Sequence, residues 1–303
     1  CLKNNLKIWV QAARLRTLPL SVSGIIMGNA LALSHNDFSF IIFLLSILTA
    51  IAFQIVSNFA NDYGDGIKGT DNEQRIGPKR VLQQGLLTSK NLKRGILVSV
   101  LVSIILSIAL IYESLGVDKL LFSVLFILLA IGAVAAAIKY TVGTNPYGYS
   151  GLGDLFVFIF FGWVSVIGSY FLQINSIDLS IVLFATSVGL LSVAVLNLNN
   201  MRDIENDLNS SKITLAVRLG GYKAKVYHFF LISIAIILFF IGIGEQSLLI
   251  KTIYTLVFVP LFLHLYRVFN LKEPKQFDPE LKKLALTIFF ISIVFFVTSY
   301  LNQ

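Results

Sequence analysis

Two groups of aspartates carry the chemistry that this sequence is equipped to do. The first lies in SNFANDYGDGIKGTDNEQRIGPKR from Ser57, which sets Asp62, Asp65 and Asp71 beside Lys68, Arg75, Lys79 and Arg80. The second lies in LNLNNMRDIENDLNSSKITLAVRLG from Leu196, where Asp203 and Asp207 are four residues apart. Each follows an apolar run long enough to cross a membrane. Carboxylates are costly in a membrane protein, so several at the mouth of one helix, without an excess of cations to pair them off, suggest a divalent metal. Two such clusters at two helix ends can hold magnesium between them, with waters and substrate phosphates completing its shell of oxygens.

The neighbours of these carboxylates are of matching type. Asn58 and Asp62, like Asn61 and Asp65, are one turn apart if the helix continues, so amide and carboxylate oxygens are presented together. Asp203 and Asp207 share one face on the same condition, with Asn199 and Asn200 just before them. A metal-bridged diphosphate needs positive groups on its remaining oxygens, and Lys68, Arg75, Lys79, Arg80, Arg202, Lys212 and Arg218 are candidates. Topology explains most of these cations equally well, and that alternative stays open; their interleaving with acids is what topology does not require. A solvated acidic loop is the bland alternative for the first cluster. A third loop, KYTVGTNPYGYSGLGD from Lys139, has a density of Gly and Pro that makes an irregular turn, with Lys139 and Asp154 flanking it at the ends of two apolar runs. His35, His228 and His264 read as interfacial, and no serine or cysteine nucleophile stands with a base.

The elements that must position these residues follow from composition. A chain of 303 residues that is 56% hydrophobic and 13% charged, with mean hydropathy +0.81, is a polytopic membrane protein. The net charge of +8 does not point to nucleic acid, because the cations sit in short loops rather than on one basic face. One cysteine, Cys1, rules out an internal disulfide framework and a cysteine-ligated zinc. A start at Cys1 rather than Met reads as a trimmed beginning, and no cleavable signal peptide is apparent. Apolar runs near 17–34, 39–60, 95–112, 120–138, 154–173, 179–198, 225–243, 248–266 and 283–301 predict nine spanning helices, an all-α fold. Lys and Arg crowd alternate loops, which puts the N-terminus and both acidic loops in the cytoplasm and the C-terminus outside. The acidic clusters each follow an even-numbered span and lie on the same side, as a parallel four-helix repeat, about 17–138 and 154–266, would arrange within a single domain of residues 1–303.

Together these phrases resemble the intramembrane aromatic prenyltransferases of the UbiA superfamily over the whole chain. Asn61, Asp62 and Asp65 resemble its N-D-x-x-D signature, and Asp203 and Asp207 its D-x-x-x-D signature. The step from Asp65 to Asp71, RIGPKR, the GLGD turn and NNMRDIENDLNSSKITLAVRLG resemble the naphthoate-prenylating branch of menaquinone biosynthesis. Ser211 departs from the glycine common in that branch, which touches the local turn more than the chemistry. The resemblance implies nine helices around a central cavity in the inner membrane, with the active site facing the cytoplasm. It implies that Asp62, Asp65, Asp71, Asp203 and Asp207 hold Mg2+, and that Asp65, Asp203 and Asp207 are catalytic; Lys139, a lone charge at the mouth of the fourth span, is a further catalytic candidate on its position alone. It also implies that Asn58, Asn61, Lys68, Arg75, Lys79, Arg80, Asn199, Asn200, Arg202 and Lys212 bind substrate. The substrates implied are a polyprenyl diphosphate, its tail among membrane lipid, and 1,4-dihydroxy-2-naphthoate, joined with loss of diphosphate and carbon dioxide. Two other classes fit less well. A cation-coupled transporter would place some acids deeper in the bilayer, and a phosphatidyl-type transferase would gather its acids in one compact motif.

Overall fold

Long runs of Leu, Ile, Val and Phe in lipid must satisfy their backbone groups internally, and only helices do so within a single segment. The computed structural model describes residues 2–33, 38–244 and 246–302; Cys1, residues 34–37 with the His35 expectation, Glu245 and Gln303 lie outside these. Among the described residues the chain is helical with no strand, in the order α1 Leu2–Ala13, α2 Leu18–Ala32, α3 Phe40–Lys68, α4 Ser89–Leu115, α5 Leu120–Lys139 and α6 Gly153–Val157. A π-helical turn, Phe158–Val164, joins α6 to α7 Ser165–Ile174. Then follow α8 Ile181–Arg202, α9 Ile204–Asn209, α10 Leu215–Gly242, α11 Leu248–Asn270 and α12 Phe277–Leu301. Eight helices among the described residues are long and apolar enough to cross a membrane. Where the first span was expected, α2 has 15 residues.

Helix ends follow local chemistry. Ser39, Thr88, Thr214 and Ser247 each accept a backbone N–H in the first turn of the helix they precede. At the other end of α3, Gly69 adopts φ 74°, which closes the helix. Nothing stops it earlier, so α3 runs on past the expected residue 60 and carries Asn61, Asp62 and Asp65 on its last turns. Within α10, Gly220 leaves helical geometry at φ 74° and ψ 164°, so the turn after Thr214 is set off from the long segment that spans.

The core is organised on α8, the most enclosed of the spans, which packs against α10, the π-helical turn, α12 and α2. A helix apolar on all sides belongs in such a place. By contrast α5 packs on α3 and α4 and leaves its other side open, apart from Phe122 and Phe126 stacking on Phe171 of α7. Helix α2 approaches the π-helical turn and α7 closely, with Gly24 and Gly28 against the backbone and hydroxyls of Phe161, Ser165, Val166 and Ser169.

The histidines differ from expectation. His228 and His264 are buried between α10 and α11, with Nε2 to Nε2 at 3.0 Å, and His264 Nδ1 meets Glu280 Oε2 of α12 at 2.9 Å. They are interior because Glu280, Arg267 and Lys283 give this polar group partners of its own.

Gly28→Leu should remove the α2–α7 contact, because its side chain has no space against Val166 and Ser169. An overpacked core costs roughly 1–3 kcal/mol, and a backbone clash more. The variant is expected to lose most of its folded yield and to melt well below the parent in a detergent thermal scan, whereas Gly132→Leu, which meets nothing, is expected to match the parent.

Candidate active site

The last turns of α3 gather three arginines' worth of positive charge onto three carboxylates. Asp62 Oδ1 accepts from Arg14 Nη2 and, at 2.7 Å, from Arg80 Nη1. The same Arg80 lies 3.7 Å from Asp65 Oδ2 and 3.4 Å from Asp71 Oδ1, and Arg75 Nε lies 3.0 Å from Asp71 Oδ1. Asn58 fixes the segment that brings Arg14 in: its Nδ2 donates to Ala13 O and to Thr17 Oγ1. Asn61 Oδ1 accepts from Thr141 Oγ1 of the third loop at 3.3 Å.

In the second cluster, α8 stops at Arg202 and Asp203 leaves helical geometry, yet Asp207 N donates to Asp203 O at 2.8 Å, so the two carboxylates stay one turn apart. Arg202, fully buried, holds Asp203 through Nε at 2.9 Å and Nη2 at 2.6 Å, and reaches Asp278 of α12 through Nη1 at 2.5 Å. This fork on a carboxylate is the strong, directional form of the pair. Lys212 Nζ lies 3.4 Å from Asp207 Oδ1. Ser211 beside it carries φ 56°, so the turn keeps the left-handed geometry that the branch's glycine would adopt, with a serine bearing it.

The clusters belong to one site. Asn206 Nδ2 donates to Thr70 O at 3.0 Å. Gly77 lies so close to Arg202 that a Cβ there would stand 2.7 Å from Nη2. The third loop closes over both: Tyr149 Oη donates to Asp65 Oδ1 at 2.8 Å and meets Thr70 Oγ1 at 2.6 Å, while Ile213 N donates to Tyr149 O. Below them a cavity of about 400 Å³ has Asn58, Asn61, Asp65, Arg80, Asn199 and Lys212 at one end. Its walls are otherwise mostly apolar, with Ala130, Ala133 and Ala137 of α5 facing Phe156, Phe160 and Phe161.

Not every expected residue is here. Lys139 is exposed at the end of α5 and does not line the cavity, because Tyr140 takes the inward position. Lys79 is exposed in the loop, and Lys68, also exposed, donates to Gly143 O at 2.8 Å. Asn200 is buried beside the second cluster, its Oδ1 without a hydrogen bond. Residues that sequence reasoning passed over are Arg14, Tyr149, Asn206 and Asp278. Arg14 lies in the cation-rich stretch before the first apolar run, where positive-inside bias explains it, and nothing in the spacing of Asp278 ties it to Arg202.

Burial first, then the Asp65 carboxylate, push Asp71 up to about 7 from an ordinary 3.8, against the pull of Arg75. Burial takes Asp207 up to about 6, with Lys212 opposing. Asp203 moves the other way, since the hydrogen bonds and charge of Arg202 outweigh its burial. Burial would lower Lys212, but Asp207 and Asp65 outweigh it and hold its ammonium above the usual lysine range. The donor set fits a hard divalent cation: both oxygens of Asp71, Oδ2 of Asp207, and Oδ1 of Asn200 and Asn206 are buried and accept no hydrogen bond. Among the described residues no three acidic, histidine or cysteine groups converge into a ready-made cage. An ion here would therefore draw the rest of its shell from phosphate oxygens and water, as magnesium commonly does.

Fold and site together define a helical membrane protein whose cavity has a charged head and a mostly apolar wall. The UbiA prenyltransferase family matches residues 21–297, and the chain belongs to that family. It is 43% identical to the Haemophilus influenzae 1,4-dihydroxy-2-naphthoate octaprenyltransferase over 97% of this chain and 96% of the relative. It is 45% identical to the Escherichia coli protein of the same name, over 73% of this chain and 71% of that one. Among solved structures, a UbiA homologue from Aeropyrum pernix shares the fold at TM-score 0.67 and 15% identity, covering 95% of this chain and 97% of that one. A homologue from Archaeoglobus fulgidus bound to DMAPP and Mg2+ does so at TM-score 0.60 and 15% identity, covering 95% and 99%.

The raised carboxyls set a pH dependence. Between 3.8 and about 7 the folded chain binds more protons at Asp71 and Asp207 than the unfolded chain, so these groups' contribution to stability is present at low pH and lost as pH rises through about 6 to 7. Asp203 acts with the opposite sign, but only below 3.8. Metal-free protein is expected to melt lower at pH 8 than at pH 6, and Asp71→Asn to flatten that slope; an unchanged slope in the variant would count against the assignment.

Proposed function

We propose that this chain transfers the prenyl group of a polyprenyl diphosphate to 1,4-dihydroxy-2-naphthoate, releasing diphosphate and carbon dioxide and giving the prenylated 1,4-dihydroxynaphthalene, a demethylmenaquinol, which is the reduced form of demethylmenaquinone. The observation that carries this reading is a single cavity with Asp65, Arg14, Arg80 and Lys212 at its head and an aromatic and alanine-lined wall behind them, the second acidic cluster adjoining that head through Lys212 on Asp207 and Asn206 on Thr70. The name and 43% identity of a relative matched over nearly its full length support the acceptor.

In this reading Asp65, Asp71, Asp203 and Asp207 would hold Mg2+, and Asp62 serves by holding Arg14 and Arg80 in place. The ion, when bound, would neutralise charge developing on the leaving diphosphate. Arg80, Arg75 and Lys212 meet its remaining oxygens, acting as fixed charges that need no rearrangement as the allylic carbon–oxygen bond breaks. Tyr149, kept neutral by burial and by Asp65, donates to Asp65 and sets its orientation. The apolar wall excludes water from the allylic carbon, so the electron-rich ring is the nucleophile at hand. Its carboxylate pairs with Lys212, which lines the cavity, rather than Lys139, and then leaves as carbon dioxide. The gap beside α5 lets the prenyl tail continue into lipid. We read residues 1–303 as a single domain in which about 17–138 and about 154–266 are corresponding halves of a four-helix repeat. The multi-pass chain sits in the inner membrane with its acidic loops toward the cytoplasm.

With purified protein, magnesium and a polyprenyl diphosphate, prenylation of 1,4-dihydroxy-2-naphthoate with release of carbon dioxide is expected, with little product from 4-hydroxybenzoate and none from Asp65→Ala. Preferential use of the benzoate would overturn the acceptor. Lys139→Ala is expected to match Lys90→Ala in apparent substrate requirement; a selective rise would return Lys139 to the site. A cysteine placed at Gln84, in a background lacking Cys1, is expected to react only after cells are made permeable, and labelling of intact cells would reverse the orientation.

A further inference from the structure

A second concavity lies on the outside of the bundle. Between α3 and α4 runs a groove of about 540 Å³, almost wholly apolar, floored by small residues such as Ala52 and Ser99 and flanked by Val102. At the end nearest the acidic clusters it is closed by Trp9 of α1 and Arg94 of α4. Trp9 stands edge-on to Phe59 at 5.3 Å and lies against Gly95, where a Cβ would meet its ring. Arg94 is exposed and has no carboxylate or carbonyl partner among the described residues. Its surroundings are cationic: no Asp or Glu occurs from residue 74 to 112, while Lys90 and Lys93 flank it on the same helix.

We propose that this groove is a binding site for an anionic phospholipid, with one acyl chain lying between α3 and α4 and the headgroup phosphate on Arg94. Both walls are membrane-spanning helices, so lipid is the surrounding solvent, and an apolar trough under an unpaired guanidinium at the interface matches a lipid of negative headgroup. Topology accounts for the presence of cations on this loop but not for one of them capping an apolar groove. Trp9 belongs at that depth, since indole rings favour the membrane interface.

The site has a consequence for the catalytic end. Helix α1 has exposed Leu6 and Val10 one turn apart, as an interfacial helix does, and buries Ala12 and Ala13 against α3. Just beyond it Arg14 reaches Asp62, and Asn58 holds Ala13 O. A lipid seated beneath Trp9 braces the helix that delivers Arg14.

The test uses the full chain in nanodiscs of phosphatidylcholine with increasing phosphatidylglycerol, reading thermal midpoint, retained lipid by native mass spectrometry, and hydrogen exchange in residues 6–14. None of these readouts depends on turnover, so their outcome is separate from that of the proposed reaction. Phosphatidylglycerol is expected to raise the midpoint, to be retained, and to slow exchange in α1. Arg94→Gln is expected to weaken this about fivefold, the equivalent of the ~1 kcal/mol that a cation contributes near an anionic leaflet. Lys223→Gln, an exposed cation that does not line the groove, is expected to leave it unchanged. Val102→Trp is expected to fill the groove and expel the lipid. Equal losses in Arg94→Gln and Lys223→Gln would reduce the effect to general surface charge and overturn the site. So would a Val102→Trp variant that keeps the lipid but changes oligomeric state, which would make the groove an interface between copies.

Discussion

Buried charge that must be neutralised without water is the constraint on which this structure depends. Asp62, Asp65, Asp71, Asp203 and Asp207 are all nearly inaccessible, and so is Arg202. Isolated, any of them would cost several kcal/mol to desolvate. They are tolerable together because Arg80 serves three carboxylates, Arg202 serves two, and Lys212 and Arg75 one each. That sharing forces segments far apart in sequence into contact: α1 through Arg14, the 69–88 loop through Arg80, the end of α8 through Arg202, and α12 through Asp278. The cation network is thus the device that assembles the site as well as its electrostatic content.

The neutralisation is incomplete by design of the donor set. Asp71 and one oxygen of Asp207 remain buried without hydrogen bonds, and their carboxyls are pushed toward neutrality. Groups left short of donors in this way are costly to keep unless something positive completes them. Arg75 and Arg80 stand beside Asp71 Oδ1, and in the proposed reading a divalent ion carrying a diphosphate completes the oxygens that still accept no hydrogen bond. The external groove at Arg94 obeys the same logic at the membrane surface, where an unpaired guanidinium faces the one solvent that carries phosphate.

Much of this was legible in the sequence, for identifiable reasons. The spans were readable because hydrophobic length in lipid admits one backbone solution, and the aspartate clusters because intramembrane carboxylates are too costly to be incidental. The continuation of α3 through Asp65 was readable only conditionally, since it depends on Arg14 and Arg80 paying no visible toll in local pattern. Contacts between loops were not legible: Tyr149 on Asp65, Asn206 on Thr70 and Asp278 on Arg202 join positions with no sequence relation. Lys139, a lone charge at a helix mouth, looks purposeful in the sequence, and helical phase places it outward with Tyr140 inward. The histidines read as interfacial, since their partner Glu280 lies on a different helix.

The central claim is that the two acidic clusters act as one site around a metal-bound diphosphate. It is tested most directly by measuring magnesium-dependent binding of a non-cleavable prenyl thiolodiphosphate to the parent, to Asp65→Asn, to Asp207→Asn and to the double variant. A shared site predicts that binding requires magnesium, that each single substitution removes most of it, and that the double variant loses little more than either. Losses that simply add, or binding that persists without magnesium, would contradict it.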